Sequence, residues 1–170
     1  MTGRLLSVQV GRARSVSLSG RSVLSAYGKQ PVAGPVAVRG LGLEGDEQAD
    51  LSVHGGLSKA LYAYPAEHYP FWRTVRAQAQ VSGWDDTLPP GAMGENLTIT
   101  GLLETDAWIG DVLRFPRCAL AVSEPRFPCF KFEAAMGFRQ SVKLMAQSGY
   151  CGFYLAVREE GLLEAGEAFE

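Results

Sequence analysis

The first half of the chain is divided into short segments in which apolar and polar residues alternate. Leu6, Val8 and Val10 alternate with polar residues near the amino end, and residues 14–18 and 36–41 repeat this period of two. Such alternation is typical of strands with one buried face, and the glycines and prolines between the segments favour turns. Further short apolar runs predict strands at residues 61–64, 97–100, 112–115, 118–122 and 151–157.

Two segments have helical spacing instead. We predict a helix over Pro65–Val81, with its regular turns starting near Pro70 because proline has no N–H to donate inside a helix. A second helix is predicted over 132–148, ended by Gly149. Beyond the last apolar run, a turn at 159–161 and a polar, acidic tail are expected.

Strands therefore dominate, and they do not alternate regularly with helices. This arrangement predicts a mainly β fold, with a barrel-like core of mostly antiparallel strands and a few peripheral helices. A length of 170 residues is typical of one domain, so we expect a single domain over residues 1–170.

The overall composition is ordinary, with 46% hydrophobic residues and a net charge of −2. A near-neutral balance argues against a nucleic-acid binder, which would carry a strong basic surface. No apolar run approaches the roughly 18 residues of a membrane span, and the amino end lacks the pattern of a signal peptide. These features predict a cytoplasmic protein.

Cysteine and histidine are scarce. Cys118, Cys129 and Cys151 are an odd number without C-x-x-C spacing, which fits neither a disulfide framework nor a four-thiolate zinc site. His54 and His68 are too few for a histidine-rich centre. A metal would therefore need one protein thiolate and a cofactor. Cys118 lies in an apolar run and is interpreted as a small core residue.

Cys129 has the most distinctive surroundings. It follows a proline in the stretch from Ser123 to Phe132, with Arg126 before it and Lys131 after it. Nearby cations favour the thiolate, which is both a nucleophile and a metal ligand. The alternative is a structural cysteine buried between a strand and a helix. Three aromatic residues are expected to give the thiol a partly dry surround: Phe127, Phe130 and Phe132.

Two other stretches carry candidate binding groups. His54-Gly55-Gly56 followed by Lys59 would bring an imidazole, backbone N–H groups and an ammonium around an anion, or would form a hairpin with a charged rim. The stretch lacks the P-loop pattern. Glu95 and Asn96 precede a predicted strand, where they would hydrogen-bond a heterocycle or close the turn through their side chains.

Six stretches taken in order resemble the MOSC domain family, named for the C-terminal domain of molybdenum-cofactor sulfurase, and within it the bacterial YiiM-like proteins. They extend over about residues 40–155. The matching stretches are Gly42-Leu43-Glu44-Gly45-Asp46-Glu47-Gln48-Ala49-Asp50; His54-Gly55-Gly56 with Lys59-Ala60-Leu61; Tyr64-Pro65 with Glu67-His68-Tyr69; Gly94-Glu95-Asn96-Leu97; Gly110-Asp111; and Pro125-Arg126 with Pro128-Cys129 and Lys131.

The resemblance implies a β-barrel-like fold that binds molybdenum cofactor, a pterin dithiolene with a phosphate. It implies that Cys129 is the catalytic residue and the protein ligand to molybdenum. It also implies reduction of N-hydroxylated bases or related N-oxygenated small molecules. The remaining candidates for contacts with the cofactor, chosen by charge and position, are His54, Lys59, Glu95, Asn96, Arg126 and Lys131.

Three departures from the family that the chain resembles are expected. We expect no helical extension after Glu170, no iron–sulfur domain, since the sequence has no four-cysteine motif, and no pyridoxal-phosphate domain before the match. Electrons are therefore expected from an external reductase or a ferredoxin-like protein. The alternative is a non-catalytic carrier of molybdenum cofactor, or of sulfur as a Cys129 persulfide. A scaffold that has lost the cofactor is the third hypothesis.

Overall fold

The structure, a computed structural model, describes residues 2–49 and 55–170. The strands are β1 (Gly3–Val10), β2 (Arg14–Leu18), β3 (Arg21–Ser25), β4 (Gln30–Pro31), β5 (Val36–Arg39), β6 (Gly42–Leu43), β7 (Leu61–Pro65), β8 (Leu97–Thr100), β9 (Val112–Arg114), β10 (Ala119–Pro125), β11 (Phe153–Glu159), β12 (Gly161–Leu163) and β13 (Ala168–Phe169). The helices are α1 (Tyr69–Gln78), α2 (Phe130–Met136) and α3 (Ser141–Ser148), with 3₁₀ turns at Leu57–Lys59 and Ala66–His68.

The main sheet has the strand order β13-β1-β8-β7-β11-β10-β9, with β4 added beside β1. Every pair is antiparallel except β7 and β8, which run parallel. The two ends of this open order approach each other, because Arg114 of β9 and Glu170 after β13 exchange backbone hydrogen bonds of 2.9 and 3.2 Å. The prediction of a mainly β, mostly antiparallel fold is confirmed. Two small sheets, β12-β5-β6 and the hairpin β2-β3, complete it.

A bulge in β1 shifts which of its residues face the core. The register with β8 shifts between Leu5 and Ser7, so Leu5 and Val8 are buried while Leu6 is 45% exposed. The alternation predicted from Leu6 is therefore wrong at that residue. One extra residue in a strand exchanges the buried and exposed positions of the residues that precede it.

The predicted helices are corrected at their ends. Strand β7 runs to Pro65, and α1 begins only at Tyr69, close to the start expected near Pro70. The second predicted helix is two helices, because Gly137 takes a φ of 82° and ends α2. None of the described helices is long and apolar enough to cross a membrane.

The predicted polar tail is also wrong. Strands β12 and β13 occupy it, and their residues Leu163 and Phe169 are 0% and 3% exposed in the core of the main sheet. Alternation over two or three residues is too short to be recognised in the sequence, and only pairing with β5 and β1 makes these segments strands.

A second core, rich in aromatic residues, joins the helices to the sheet. Trp72 of α1 is fully buried, and its indole Nε1 donates to the hydroxyl of Tyr64 at 2.5 Å. The ring of Phe132, near the start of α2, meets Trp72 edge to face at 5.2 Å between centroids. These contacts fix the first turn of α2, the turn that follows Cys129.

The loop between α3 and β11 packs against β7 too closely for a side chain at Gly152. Its φ is 64°, and an added Cβ would lie 2.4 Å from the carbonyl oxygen of Ala63. Gly149 has a similar φ of 72° but open space around it. We expect Gly149→Ala to lose roughly 1–2 kcal/mol from its backbone conformation, and Gly152→Ala to lose about 1–3 kcal/mol more from the clash. Urea denaturation measures both losses, and equal values for the two variants would contradict the packing described.

Candidate functional site

A single concave surface collects most of the predicted site residues. It is formed by the loop after β3, the segment that follows β6, the beginnings of β7, β11 and α2, and the residues just before β8 and just after β10. The cavity volume is about 100 Å³, and the cavity is open to solvent on one side. Sites for small organic ligands measure roughly 300–1,000 Å³, so a ligand larger than a small anion would extend out of its described part.

Cys129 lies at this cavity as the residue that caps α2. Its backbone is extended, with φ −132° and ψ 178°, and its carbonyl accepts the N–H of Phe132 at 2.9 Å. The predicted dry surround is only partly present, because Phe132 is fully buried while Phe127 and Phe130 are 74% and 56% exposed. The turn of the chain into α2 directs those two rings to solvent.

The other two cysteines have different environments. None of the three forms a disulfide. Cys118 is 4% exposed in the main core, as predicted, and burial raises its pKa to about 12. Burial also raises the pKa of Cys151, which is half-buried behind the cavity. Cys129 is therefore the one cysteine that lines this cavity.

Arg126 supplies a buried positive charge at the same cavity. It is 5% exposed, and its guanidinium carbon lies 4.7 Å from the ring centre of Tyr62, 5.4 Å from that of Phe132 and 5.9 Å from that of Tyr27. Among the ion pairs of residues 2–49 and 55–170, none includes Arg126. The faces of aromatic rings offset only part of the cost of burying a guanidinium charge. The cavity therefore favours an anionic ligand.

Lys29 and Asp46 form a buried ion pair in the cavity wall. Lys29 Nζ lies 2.5 Å from Asp46 Oδ1, and the two side chains are 8% and 6% exposed. The Asp46 carboxylate also accepts the N–H of Gly11 at 2.7 Å and the amide N–H of Asn96 at 2.8 Å. Lys29 is thus neutralised by the protein.

Asn96 lies in the cavity wall, where it joins two strands to the segment that follows β6. Its Oδ1 accepts the backbone N–H of Tyr62 at 3.1 Å, and its Nδ2 donates to Asp46 and to the carbonyl of Gln9. Both ends of the amide are used by the protein, so Asn96 positions β1, β7 and the segment after β6 around the cavity.

Glu95 is not among the residues that line the cavity. It is fully buried and accepts hydrogen bonds from the N–H groups of Gly91 and Met93 at 2.8 and 3.0 Å and from Thr98 Oγ1 at 2.8 Å. Burial raises its pKa, while the hydroxyl of Tyr69, which donates to it, acts in the opposite direction. Of the two interpretations left open for Glu95, the structure has the turn-closing one.

The two predicted lysines both lie at the cavity. Lys59 Nζ is 3.6 Å from Glu124 Oε2, and Lys131 Nζ donates to the carbonyl of Leu24 at 2.8 Å. The structure therefore brings Lys59, Asn96, Arg126, Cys129 and Lys131 to one cavity. His54 falls outside the described residues.

Sequence reasoning missed Lys29 and three tyrosines that line the cavity: Tyr27, Tyr62 and Tyr154. Tyr62 had a detectable signal, since it lies in a predicted strand beside the core residues Leu61 and Ala63. A tyrosine in an otherwise apolar strand needs a partner for its hydroxyl.

A metal at this cavity would have few protein ligands. Residues 2–49 and 55–170 contain no group of three or more His, Cys, Asp or Glu side chains that could hold a metal ion. A soft thiolate beside cationic groups fits a metal that brings its own sulfur ligands and an anionic tail.

A family model described as the MOSC domain matches residues 50–170. The chain belongs to the MOSC domain family. Within it the chain is YiiM-like: protein YiiM of Escherichia coli is 37% identical over 147 residues, or 86% of this chain and 63% of YiiM.

The alignments with two further relatives cover nearly all of this chain. The uncharacterized protein YflK of Bacillus subtilis is 39% identical over 166 residues, or 98% of this chain and 72% of YflK. A protein named "Reductase" from Gibberella moniliformis is 36% identical over 97% of this chain, which corresponds to 28% of that protein. This chain therefore spans less than two thirds of the Escherichia coli YiiM and under a third of the Gibberella protein.

Solved structures agree with the fold. The crystal structure of YiiM from Geobacillus stearothermophilus aligns with a TM-score of 0.76 at 32% identity, over 98% of this chain and 73% of that one. YiiM from Escherichia coli aligns with a TM-score of 0.73 at 28% identity, over 100% of this chain and 69% of that one.

The Lys29–Asp46 pair makes the cavity wall sensitive to a single change. Lys29→Met leaves a buried carboxylate without its cation, and we expect a loss of about 3 kcal/mol in the free energy of unfolding. Arg39→Met is the matched control, because its pair with Glu160 spans 3.8 Å and is 62% and 55% exposed, so its loss stays below about 1 kcal/mol. Urea denaturation measures the free energy of unfolding of both variants. A loss in Lys29→Met as small as that in Arg39→Met would show that the buried pair is not important for stability.

Proposed function

We propose that this MOSC protein binds molybdenum cofactor in the cavity and reduces N-hydroxylated bases or related N-oxygenated small molecules. The observation that carries the proposal is that the half-buried Cys129 and the buried Arg126 guanidinium, which makes no ion pair within residues 2–49 and 55–170, line one cavity. Similarity to a protein named "Reductase" over 97% of this chain supports the reaction type.

The cavity residues fit such a group in their chemistry. Molybdenum takes soft thiolate ligands, so Cys129 would be its protein ligand beside the two sulfurs of a pterin dithiolene. Arg126, Lys59 and Lys131 would bind the phosphate or balance charge near the thiolate, because cationic donors form the strongest hydrogen bonds to phosphate. Since the described cavity is only about 100 Å³, most of the pterin would lie in its open mouth.

The protein's own part in the reaction is binding and orientation. When bound, the cofactor supplies two-electron redox chemistry. The overall change is R₂N–OH + 2e⁻ + 2H⁺ → R₂N–H + H₂O, with the protons taken from solvent. Arg126 and the surrounding tyrosines would bind and orient the cofactor beside Cys129.

The electron donor is proposed to be a separate protein, an external reductase or a ferredoxin-like protein. With three cysteines in all, the 170 residues contain no four-cysteine motif for an iron–sulfur cluster. The reaction is proposed to take place in the cytoplasm.

A carrier of molybdenum cofactor is the second candidate. The observation that favours it is the open cavity, since a carrier has to release its cargo without a large rearrangement. The two functions are separated by turnover of a hydroxylamine with an added reductase, because a carrier transfers cofactor to an apo-enzyme without turnover. A persulfide on Cys129, detected by mass spectrometry, would identify a sulfur carrier instead.

Removing the Cys129 thiol tests the ligand assignment. In protein made in a host that synthesises the cofactor, we expect Cys129→Ala to lose molybdenum while the wild type holds molybdenum and pterin in stoichiometric amounts. Metal analysis and fluorescence of the oxidised pterin measure both. Cys151→Ala is the matched control and should keep wild-type molybdenum, because Cys151 does not line the cavity. A Cys129→Ala variant with full molybdenum content and activity would disprove the assignment.

Arg126 provides a second test through its charge. Arg126→Met replaces a buried cation with an apolar side chain of similar length, so we expect the fold to be retained. Cofactor affinity should fall about 10-fold to 100-fold, the loss of one charge-assisted hydrogen bond. Arg126→Lys should keep part of that affinity. Pterin fluorescence titration measures the change, and unchanged affinity in Arg126→Met would remove Arg126 from the site.

A further inference from the structure

The loop at residues 149–152 lies directly behind the cavity, between α3 and β11. Its backbone is tied to the cavity wall and to the adjoining aromatic core at three consecutive carbonyl groups. The carbonyls of Tyr150, Cys151 and Gly152 accept hydrogen bonds from the Tyr64 hydroxyl at 3.0 Å, the Tyr62 hydroxyl at 2.7 Å and the backbone N–H of Arg126 at 3.2 Å, respectively.

Glu104 holds this loop from the opposite side. Its Oε1 accepts the backbone N–H of Gly152 at 2.6 Å, and its Oε2 lies 2.7 Å from His68 Nε2. The imidazole of His68 is itself fixed, because it stacks on the ring of Tyr150 at 4.0 Å between centroids and 13° between planes. Burial alone would raise the pKa of Glu104, but the hydrogen bonds from His68 and Gly152 outweigh it and the pKa is lowered.

Gly152 is the shared point between Glu104 and Arg126. One side of its peptide backbone donates to Glu104 and the other accepts from Arg126. Tyr62 adds a second connection, since its hydroxyl donates to Cys151 and lies 3.4 Å from Arg126 Nη1. A shift of the loop therefore moves both the backbone of Arg126 and the ring on which its guanidinium rests.

We propose that Glu104 is a positioning residue of the cavity: through the N–H of Gly152 it fixes the loop that sets the place of the Arg126 guanidinium beside Cys129. Glu104 does not line the cavity, so it acts only through these contacts. The proposal rests on the proposed function for its biological purpose, because Arg126 is there assigned to the cofactor. Its test requires no cofactor.

The test measures the positive field at Cys129 by thiol reactivity. In a Cys118→Ala/Cys151→Ala background, Cys129 is the one cysteine left to attack a disulfide reagent and release a coloured thiolate. The anionic reagent is dithiobis(nitrobenzoate), and the neutral one is dithiodipyridine. A nearby cation speeds the anionic reagent selectively, so the ratio of the two second-order rate constants reports the placement of Arg126.

We expect Glu104→Ala to lower the ratio of the two rate constants about 3-fold to 10-fold. A displaced Arg126 guanidinium attracts the anionic reagent less strongly across the partly buried gap between them. Glu104→Gln should stay within about 2-fold of the parent, because an amide oxygen still accepts the Gly152 N–H. Glu67→Ala is the matched control, since the Glu67 carboxylate also accepts a backbone N–H, that of Gly101 at 2.7 Å, and lies next to His68 but away from the cavity. Its ratio should not change.

An unchanged ratio in Glu104→Ala, or an equal fall in Glu67→Ala, would overturn the proposal. Loosening of the whole fold would instead speed both reagents together and leave the ratio unaltered. If Glu104→Ala fails to fold, Glu104→Asp serves in its place, because its shorter carboxylate does not reach Gly152, and a parental ratio there would also overturn the proposal. Failure of cofactor binding would affect the proposed function and leave this result standing.

Discussion

A permanently charged guanidinium held away from water is the constraint on which the site depends. Arginine cannot lose its proton inside a protein, so the structure has to surround the charge with groups that tolerate it. Around Arg126 those groups are the rings of Tyr27, Tyr62 and Phe132. The aromatic core that packs α1 and α2 on the sheet is therefore continuous with the cavity, because Tyr62 belongs to both.

Polar contacts close the other side of the cavity. Asn96 and Asp46 connect β1, β7 and the segment after β6 by hydrogen bonds. These bonds occupy both side chains, which are therefore not available to a ligand in the cavity. This division gives the cavity two kinds of wall. One consists of polar groups that bind each other and fix its shape, and the other carries the Arg126 guanidinium and Cys129.

Buried carboxylates near the site act on structure rather than on ligands. Glu95 closes the turn before β8, and Glu104 holds the loop before β11, each by accepting backbone N–H groups. Both lie one layer behind residues of the cavity. In the cavity wall itself, the carboxylate of Asp46 is likewise bound by the protein, through Lys29 and Asn96.

The sequence by itself determined the strand-rich class and the family, and it singled out Cys129, Arg126 and the two lysines, which the structure brings to one cavity. Alternation, glycine spacing and charges flanking a cysteine are local properties, so they can be recognised without three-dimensional contacts. Only the tertiary structure decided that Glu95 faces inward, that Leu6 faces out of a bulged strand, that the last residues pair as β12 and β13, and that Lys29 and three tyrosines complete the cavity. Those outcomes depend on partners distant in the chain, such as Asp46 for Lys29 or β1 for β13, and no local pattern encodes which distant group will be the partner.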